Sequence, residues 1–490
     1  SRFLPNLFTA RALTNLGLER PELKARLDEQ MGVALQRLYT RQNADGGWGW
    51  FAQNRSDPYT SGYVLFGLVA ARQNGYPVDE QVMARAADFL RRQLQPPTTL
   101  DGYALNQQAF FVYVLDGYAA AVGSERPVAE AQLLYEERDR LAAYARGYLA
   151  LTLQAQADGA PTADQARNLL DGLIGQAILS ATGAHWEEAS TDWWTMNTDT
   201  RTTAVVLAAL VAIRPDHALG PQVVRWLMSA RSADRWQSTH ETAWALIALT
   251  DWMVATGELQ GNYAWNVSLN GQPLGRGDVT PATVDQAQTL RVAVGDLLAD
   301  AINTLLLERT PGPGRMYYSA YLRTFLPVPD LAPVSRGLTI SRRYLRHGAE
   351  TPTPITSAQV GEFIDVELTL VVPATLHYLV VEDPIPAGTE PVDTSFATTR
   401  LEATGPTLER QPESDRKEPW WFWTPASFEL KDDRVALFAT ELLPGAYTFR
   451  YQLRATIAGE FNVLPPRGEM MYFPEVFGHG AGSRFTVTRP

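Results

Sequence analysis

The sequence predicts a multidomain α plus β protein, with a helical first half and an all-β second half. Three observations lead to this fold class. The chain has 490 residues, which is too long for a single hydrophobic core. Up to about residue 258, apolar residues recur at intervals of three and four, as on one face of a helix. After Gly261 they alternate with polar residues, which is the period of a half-buried strand.

Short segments of the helical half look like copies of one repeat. Three of them begin with a hydroxyl residue and a small residue and carry leucine at the fifth and eighth places, and a fourth fits loosely. They are SGYVLFGL at 61–68, QAFFVYVL at 108–115, TAVVLAAL at 203–210 and TAWALIAL at 242–249. The first and second copies start 47 residues apart and the third and fourth 39, about the length of a helical hairpin, whereas the second and third start 95 residues apart. Helices that are apolar on most sides must be buried, so we expect hairpins that close into an α/α toroid or stack as an α-solenoid.

Tryptophans precede copies of this repeat, and the first two lie in a glycine-rich turn, QNADGGWGWF at 42–51. The glycines let the chain leave an outer helix and turn sharply. We interpret the tryptophans as structural caps on the apolar end of the inner helices: they are Trp48, Trp50, Trp193, Trp194 and Trp236. The alternative is an aromatic catalytic cavity, because Gln42, Gly46 and Trp48 mimic the Gln…Gly…Trp signature of terpene cyclases. The acidic Asp-x-Asp-Asp motif of those enzymes is missing from the sequence.

The second half has the pattern of antiparallel sheets. YAWNVSLNGQPLG turns at Asn270-Gly271, a strong hairpin signal. GEFIDVELTLVV places four aliphatic residues from Ile364 to Leu370 on one face and Asp365, Glu367 and Thr369 on the other. A proline-rich stretch at 325–337 divides this half. About 65 residues before it are few for a stable sandwich, whereas roughly 150 after it suffice for one.

Composition and motifs exclude several function classes. The net charge of −12 argues against a nucleic-acid partner. The chain has no cysteine, hence no disulfide and no cysteine nucleophile, and its six histidines lack metal-site spacing, so we expect no metal and no cofactor. Phosphate-loop and nucleophile-elbow motifs are absent. His240 lies near the mouth of an inner helix, where a polar first-turn residue is favoured over a general base. We expect no catalytic residues and no enzyme.

Several motifs nevertheless resemble one family, the bacterial alpha-2-macroglobulin-like proteins, over essentially the whole chain. They are SRFLPNL, QNADGGWGWF, STHETAWALIAL, YLVVEDPIPAG and MMYFPEVFGHGAGSRFTV. The resemblance is to the C-terminal portion of these proteins. It implies an α/α-toroid thioester-type domain at 1–258, the second half of a CUB-type β domain at 259–332, and a terminal macroglobulin β-sandwich, the counterpart of the receptor-binding domain, at 337–490.

The family's thioester joins the cysteine sulfur and the glutamine carbonyl of a Cys-x-Glu-Gln motif. This chain cannot form that bond, since it has no cysteine. Ser1 and Arg2 resemble the stretch that directly follows the motif, so we expect the chain to start inside a larger protein with the motif just upstream; a branch without a thioester is the alternative. Complement-type members use a downstream histidine, and LDGYALNQQAFF at 100–111 has none. The resemblance then implies direct acyl transfer that favours amines.

The resemblance implies a broad-spectrum protease inhibitor that traps proteases after cleavage of a bait region. It also implies a periplasmic or cell-envelope location, a monomer, and a peptidoglycan-synthesising penicillin-binding protein as a second partner. The rival hypothesis is an α/α-toroid polysaccharide lyase or glycosidase with accessory β domains. That enzyme would need paired carboxylates or a Tyr, His and Arg set in the toroid cavity. The available residues are Tyr63, Tyr113, His240 and Glu241.

Overall fold

The structure, a computed structural model, describes residues 3–17, 20–51, 54–157, 159–188, 192, 195–231, 235–299, 301–322, 325–349, 352–393, 405–411 and 426–490. The chain divides into two compact units. The first comprises Ser1–Ile178 and Ala184–Ser319, and the second comprises Leu179–Gly183 and Ala320–Pro490. The fold is mixed α and β with several antiparallel sheets, which confirms the predicted class at this level.

The α-helices of the described residues all lie in the first unit. In chain order they are α1 Phe3–Asn15, α2 Pro21–Tyr39, α3 Pro58–Gln73, α4 Glu80–Arg91, α5 Gly102–Val122, α6 Val128–Glu136, α7 Ala143–Ala155, α8 Ala160–Ile174, α9 Asp199–Ile213, α10 Gly220–Ser229 and α11 Thr239–Thr256. Within the described residues, no helix is long and apolar enough to cross a membrane.

The odd-numbered helices, here called the inner helices, contact one another in sequence. The contacts run from α1 to α3, α5, α7, α9 and α11, and α11 contacts α1 again, so that they close a ring. The even-numbered outer helices pack against their chain neighbours. Inner and outer helices differ in composition. The inner helix α9 buries every residue from 201 to 210, whereas the outer helices α4 and α10 are amphipathic. Gly147 lets α7 approach α9, since a Cβ there would lie 2.8 Å from Val205 Cγ1.

Side-chain caps fix where three inner helices begin. The Asp57 side chain accepts a hydrogen bond from the Thr60 amide at the start of α3. Thr198 does the same for the Arg201 amide at the start of α9. At α11, Ser238 and Glu241 form a complete capping box. These caps hold the first turns of α3, α9 and α11 in place, and those turns supply the residues discussed below.

A small sheet follows the helices within the first unit. Its strands are β3 Tyr263–Leu269, β4 Gln272–Val279 and β5 Leu305–Arg309, in the order β4-β3-β5. Asn270 and Gly271 join β3 to β4 with φ of 51° and 78°, the left-handed pair of a tight hairpin turn. The predicted hairpin is therefore confirmed. A separate two-stranded ribbon comprises β1 Ile178–Ser180 and β2 Gly183–His185.

The second unit contains two larger sheets that share one hydrophobic core. The strands of this unit are β6 Val334–Arg336, β7 Thr339–Arg346, β8 Ser357–Gln359, β9 Phe363–Val372, β10 Leu376–Pro384, β11 Thr389–Pro391, β12 Thr407–Arg410, β13 Ala426–Leu430, β14 Arg434–Leu442, β15 Gly445–Ala455, β16 Gly459–Val463, β17 Arg467–Met470, β18 Phe473–His479 and β19 Ser483–Thr488. The orders of the two larger sheets are β13-β14-β10-β17-β18-β6 and β11-β15-β9-β7, and β12 pairs with β15. A third sheet, β16-β19-β8, includes a parallel pair of β19 and β8.

Strand β9 shows how far the alternation rule holds in this sandwich. Its residues Ile364 and Leu370 are fully buried, as predicted. Glu367, predicted on the polar face, is only 6% exposed. Two arginines cover it: Arg343 Nε lies 2.7 Å and Arg450 Nε 3.0 Å from its carboxylate oxygens. The polar face of this strand is therefore partly closed by ion pairs across neighbouring strands.

Candidate functional site

The glycine-rich turn places Trp48 between α2 and α3. Its main-chain amide donates to Ser61 Oγ at 2.8 Å, and its indole Nε1 donates to the Leu38 carbonyl at 2.8 Å. Ser61 Oγ in turn donates to the Asp57 carbonyl at 2.7 Å. The last turn of an outer helix is thereby tied to the first turn of an inner helix. We call this pattern a tryptophan corner.

Trp186 and Trp236 form the same corner at α9 and α11. Their amides donate to Thr203 Oγ1 at 3.1 Å and Thr242 Oγ1 at 3.3 Å. Their indoles donate to carbonyls of the preceding outer helices, Leu173 at 2.7 Å and Leu227 at 2.8 Å. Ser61, Thr203 and Thr242 are the first residues of three repeat copies, so the repeated hydroxyl is explained as the acceptor of the tryptophan amide. In the loose copy, Gln108 accepts from the Gln95 amide at 3.1 Å.

The five predicted cap residues differ in their surroundings. Trp48 and Trp236 are buried, with exposed fractions of 3% and 4%. Trp50 is 59% exposed, in contrast to the prediction, and Trp48 is the tryptophan of this turn that bonds to Ser61 and Leu38. Trp193 and Trp194 lie outside the described residues. The corner at α9 instead contains Trp186, which we did not predict although it also precedes a repeat copy.

Aromatic rings of the inner helices fill the middle of the ring. Tyr63 of α3 stacks on His240 of α11 with ring centroids 4.2 Å apart and planes 6° apart. Trp244 stacks on Phe66 at 5.3 Å and contacts Tyr148 of α7 at 5.2 Å. Stacked rings of this kind contribute packing beyond their buried area. The centre is therefore solidly packed and has little open space.

Arg201, from the first turn of α9, is completely buried beside these rings. It donates to the Thr195 carbonyl at 2.7 Å and to the Tyr148 hydroxyl at 3.1 Å. Its guanidinium carbon lies 5.9 Å from the Tyr59 ring and 5.5 Å from the Tyr144 ring, so the faces of both rings add cation–π attraction. In the part of the chain that the structure describes, no carboxylate forms an ion pair with it. The positive charge of Arg201 is therefore stabilised by neutral hydrogen-bond acceptors and aromatic rings.

A cavity of about 100 Å³ opens next to this centre, and we call it the α1 cavity. It is lined by Phe3, Leu4, Pro5, Leu38, Tyr63, Val64, Thr239 and His240. Burial, and to a smaller extent the charge of Arg201, lower the pKa of His240 to about 3. His240 is therefore neutral at physiological pH. Its position in the first turn of α11 was predicted from the sequence, but its pairing with Tyr63 was not.

The residues of the rival enzyme hypothesis do not form a catalytic set. Glu241 is 2% exposed, and its carboxylate accepts from the Ser238 amide as part of the cap of α11. Tyr113 packs against Tyr148 and Trp244. No group of three or more His, Asp or Glu residues among those described could hold a metal ion. Ser1 and Arg2, which we predicted to flank a thioester motif, lie outside the described residues.

Comparison with known proteins identifies similar chains. Residues 337–475 match the bacterial alpha-2-macroglobulin MG10 domain. An alpha-2-macroglobulin homolog of Nostoc sp. is 26% identical over 477 residues, which cover 94% of this chain and 24% of that protein. The alpha-2-macroglobulin of Escherichia coli strain K12 is 24% identical over 505 residues, covering 100% of this chain and 28% of that protein. The chain thus spans about a quarter of the length of these curated relatives.

Among solved structures, the trypsin-activated alpha-2-macroglobulin of Escherichia coli has a similar fold. The match has a TM-score of 0.53 and 19% sequence identity, and it covers 100% of this chain and 31% of that one. Sequence identity this low supports a shared fold but does not assign a role to any residue. The domain match, the relatives and the fold agree with one another: this chain is similar to the C-terminal portion of bacterial alpha-2-macroglobulins.

Proposed function

We propose that the chain is part of a broad-spectrum protease inhibitor that traps proteases after its bait region is cleaved, and that it is not an enzyme. The observation that carries the proposal is the similarity of nearly the whole chain to proteins named alpha-2-macroglobulin. In the ring, the Glu241 carboxylate caps α11 and Tyr113 packs against other rings, so these two residues do not form part of a catalytic set. The carbohydrate-active alternative has no such support, and we do not retain it.

We further propose that residues 1–258 are an α/α toroid of thioester type. The closed ring of inner-helix contacts supports a toroid over an open solenoid, in which the first and last helices would not meet. Residues 259–332 would be the second half of a CUB-type domain, and the exposed three-stranded sheet β4-β3-β5 is consistent with a domain completed by other strands. Residues 337–490 would be the terminal macroglobulin domain, whose match begins at the same residue.

The trapping chemistry would come from a Cys-x-Glu-Gln thioester in the longer protein, next to α1. Protease cleavage of the bait would expose the thioester. An amine of the protease would then attack its acyl carbon, which forms an amide, breaks the C–S bond and releases the cysteine thiol. Residues 100–111 contain no histidine that could take the acyl group first, so direct transfer to amines is expected. A periplasmic or envelope location and a monomer fit this role. A penicillin-binding protein partner finds no support among the relatives and is not proposed.

The test uses the full-length natural protein. Intact mass is measured with and without methylamine, together with the sequence that precedes residue 1. A thioester gives a mass gain of one methylamine and a free thiol, and a Cys→Ala variant of the motif gives neither. Without a mass change, the thioester part of the proposal is wrong.

Trapping itself is measured separately. Protease is mixed with the full-length protein, and its cleavage of a large protein substrate is compared with cleavage of a small peptide substrate. A trapped protease loses access to the large substrate while it still cleaves the small one. Equal loss on both substrates would point to a blocked active site, and no loss on either would contradict the inhibitor function.

A further inference from the structure

The hairpin of β17 and β18 has an unusual turn. Strand β17 ends at Met470 and β18 begins at Phe473, and these two residues pair with each other, so two residues make the connection. Short turns of this kind favour Asn, Asp or Gly, as the turn between β3 and β4 does. Here the two residues are Met471 and Tyr472, large side chains with exposed fractions of 52% and 68%. We call them the Met471 tip.

Contacts within the sandwich hold the Met471 tip in this exposed position. The Met471 amide donates to the Tyr378 carbonyl of β10 at 2.9 Å. The rings of Tyr378 and Tyr472 meet edge to face, with centroids 5.2 Å apart. Tyr378 has a φ of 53°, in the left-handed region that a tyrosine rarely adopts. Backbone strain of this kind persists where the surrounding structure enforces it, so the display of Met471 is built into the fold.

Met471 is the most exposed of the eight methionines of the chain, all of which lie within the described residues. Met196 and Met228 follow with 38% each, and the other five are half-buried or buried. Met470, the preceding residue, is only 1% exposed. Met471 also lines a groove of about 300 Å³ beside Tyr378, which is large enough to admit a small oxidant. Its thioether is therefore the most accessible sulfur of the chain.

An exposed thioether reacts with mild oxidants such as hydrogen peroxide, which convert methionine to its sulfoxide. The sulfur attacks one peroxide oxygen, so that an S–O bond forms and the O–O bond breaks. Sulfur is oxidised by two electrons, and the other peroxide oxygen leaves as water. The chain has no cysteine, so no thiol of the chain competes for the oxidant.

We propose that Met471 is a reversible oxidation site that switches the Met471 tip from apolar to polar. The sulfoxide is polar, so the groove beside Tyr378 loses apolar surface when Met471 is oxidised. Methionine sulfoxide reductase with a dithiol reverses the change: the oxygen leaves as water, the thioether is restored and the dithiol becomes a disulfide. The exposed position gives the reductase access to Met471. The site does not depend on the proposed function.

The first test measures the rate of oxidation at each methionine. The 490-residue chain is treated with dilute hydrogen peroxide, and the gain of one oxygen atom is located by peptide fragmentation in a mass spectrometer. Met471 should react first. Met470 is the matched control next to it, and it should react at least about tenfold more slowly, because its oxidation requires local opening of the sheet. The proposal is overturned if Met196 or Met228 reacts before Met471, or if Met470 reacts as fast.

The second test measures the change of surface, at a peroxide dose that oxidises Met471 alone in the parent. Native hydrophobic-interaction chromatography compares the chain before oxidation, after it, and after repair by methionine sulfoxide reductase with dithiothreitol. The oxidised parent should elute earlier, and repair should restore its retention. Met471→Leu keeps an apolar side chain without sulfur, so peroxide should not change its retention. Met471→Gln should elute early before any treatment.

Three results of the chromatography would contradict the switch. They are an unchanged retention of the oxidised parent, a shift of equal size in Met471→Leu, and a shift that the reductase does not reverse. Both substitutions lie at an exposed turn and leave the buried Met470 in place, so the fold should be unaffected.

Discussion

The helical ring and the β-sandwich each bury an arginine, but they compensate its charge differently. In the sandwich, Arg342 lies 2.5 Å from the Asp383 carboxylate, to which the Tyr451 hydroxyl also donates at 2.5 Å. Arg342 Nη1 also donates to the Pro384 carbonyl at 2.9 Å. In the ring, Arg201 has a carbonyl and a hydroxyl as its acceptors. The sandwich pair is a closed structural network, whereas the ring keeps a positive charge close to unpaired polar atoms.

The sharpest test of this comparison removes each arginine in turn. Arg342→Met leaves Asp383 buried without its cation, so we expect a loss of about 3–5 kcal/mol in the free energy of unfolding. Arg201→Met leaves no carboxylate without its cation among the described residues, but it removes the donor to the Thr195 carbonyl and the Tyr148 hydroxyl, so we expect a smaller loss of about 1–3 kcal/mol. Urea unfolding followed by circular dichroism measures both. Equal losses would remove the distinction between the two regions.

The second test uses the histidine of the ring centre. Burial lowers the folded-state pKa of His240 to about 3, below the unfolded value of about 6.5. The unfolded state therefore binds the proton more tightly, and the stability from neutral His240 falls as pH decreases from about 6.5 towards 3. Between pH 7 and pH 5 the parent should lose about 2 kcal/mol more than His240→Phe. Parallel losses in the two proteins would contradict a buried neutral histidine.

The third test lies within the helical ring. Trp48→Phe removes the indole donor of a tryptophan corner and part of a buried ring, so a loss of about 1–3 kcal/mol is expected. Trp50→Phe in the same turn should change stability by less than about 0.5 kcal/mol, since this residue is exposed. Thermal unfolding of the two variants provides the comparison. A larger effect at Trp50 would mean that the corner does not hold the turn.

The smallest effect is expected on the outer face of the sandwich. Glu409 pairs with Arg450 at 2.7 Å, but the two side chains are 64% and 48% exposed. Glu409→Gln should cost less than about 1 kcal/mol, and the cost should shrink in high salt because water and ions screen the pair. Unfolding in low and in molar salt checks this. A cost near that of Arg342→Met would show that exposure does not separate the two kinds of ion pair.

Local features of the fold were predictable because they depend on neighbouring residues. The hairpin at Asn270-Gly271 follows from two residues that tolerate positive φ. The alternation in β9 predicted the buried aliphatic face, and it failed at Glu367, whose burial comes from arginines on two neighbouring strands. The repeat predicted inner helices, but it did not show that their hydroxyls accept hydrogen bonds from Trp48, Trp186 and Trp236.

The candidate site was the least predictable part. Tyr63 and His240 were both noticed, yet as separate residues of a rival enzyme, and Arg201 was not singled out because one arginine inside an apolar helix has no sequence signature. Trp186 was passed over for the nearer tryptophan pair, since sequence proximity to a repeat copy was the available criterion. Which tryptophan forms the corner depends on a hydrogen bond to a carbonyl at the end of the preceding outer helix. That partner cannot be identified from the residues next to the tryptophan.

The sequence by itself determined the helical and β halves, the hairpin turn, the repeat and the absence of cysteine, because these depend on composition and on short-range backbone preferences. The tertiary structure decided which side chains meet. Tyr63, Arg201 and His240 belong to three inner helices that are distant in sequence, and closure of the ring brings their first turns together. Burial then sets the charge state of His240 and leaves polar atoms without partners, and both effects depend on the packed surroundings.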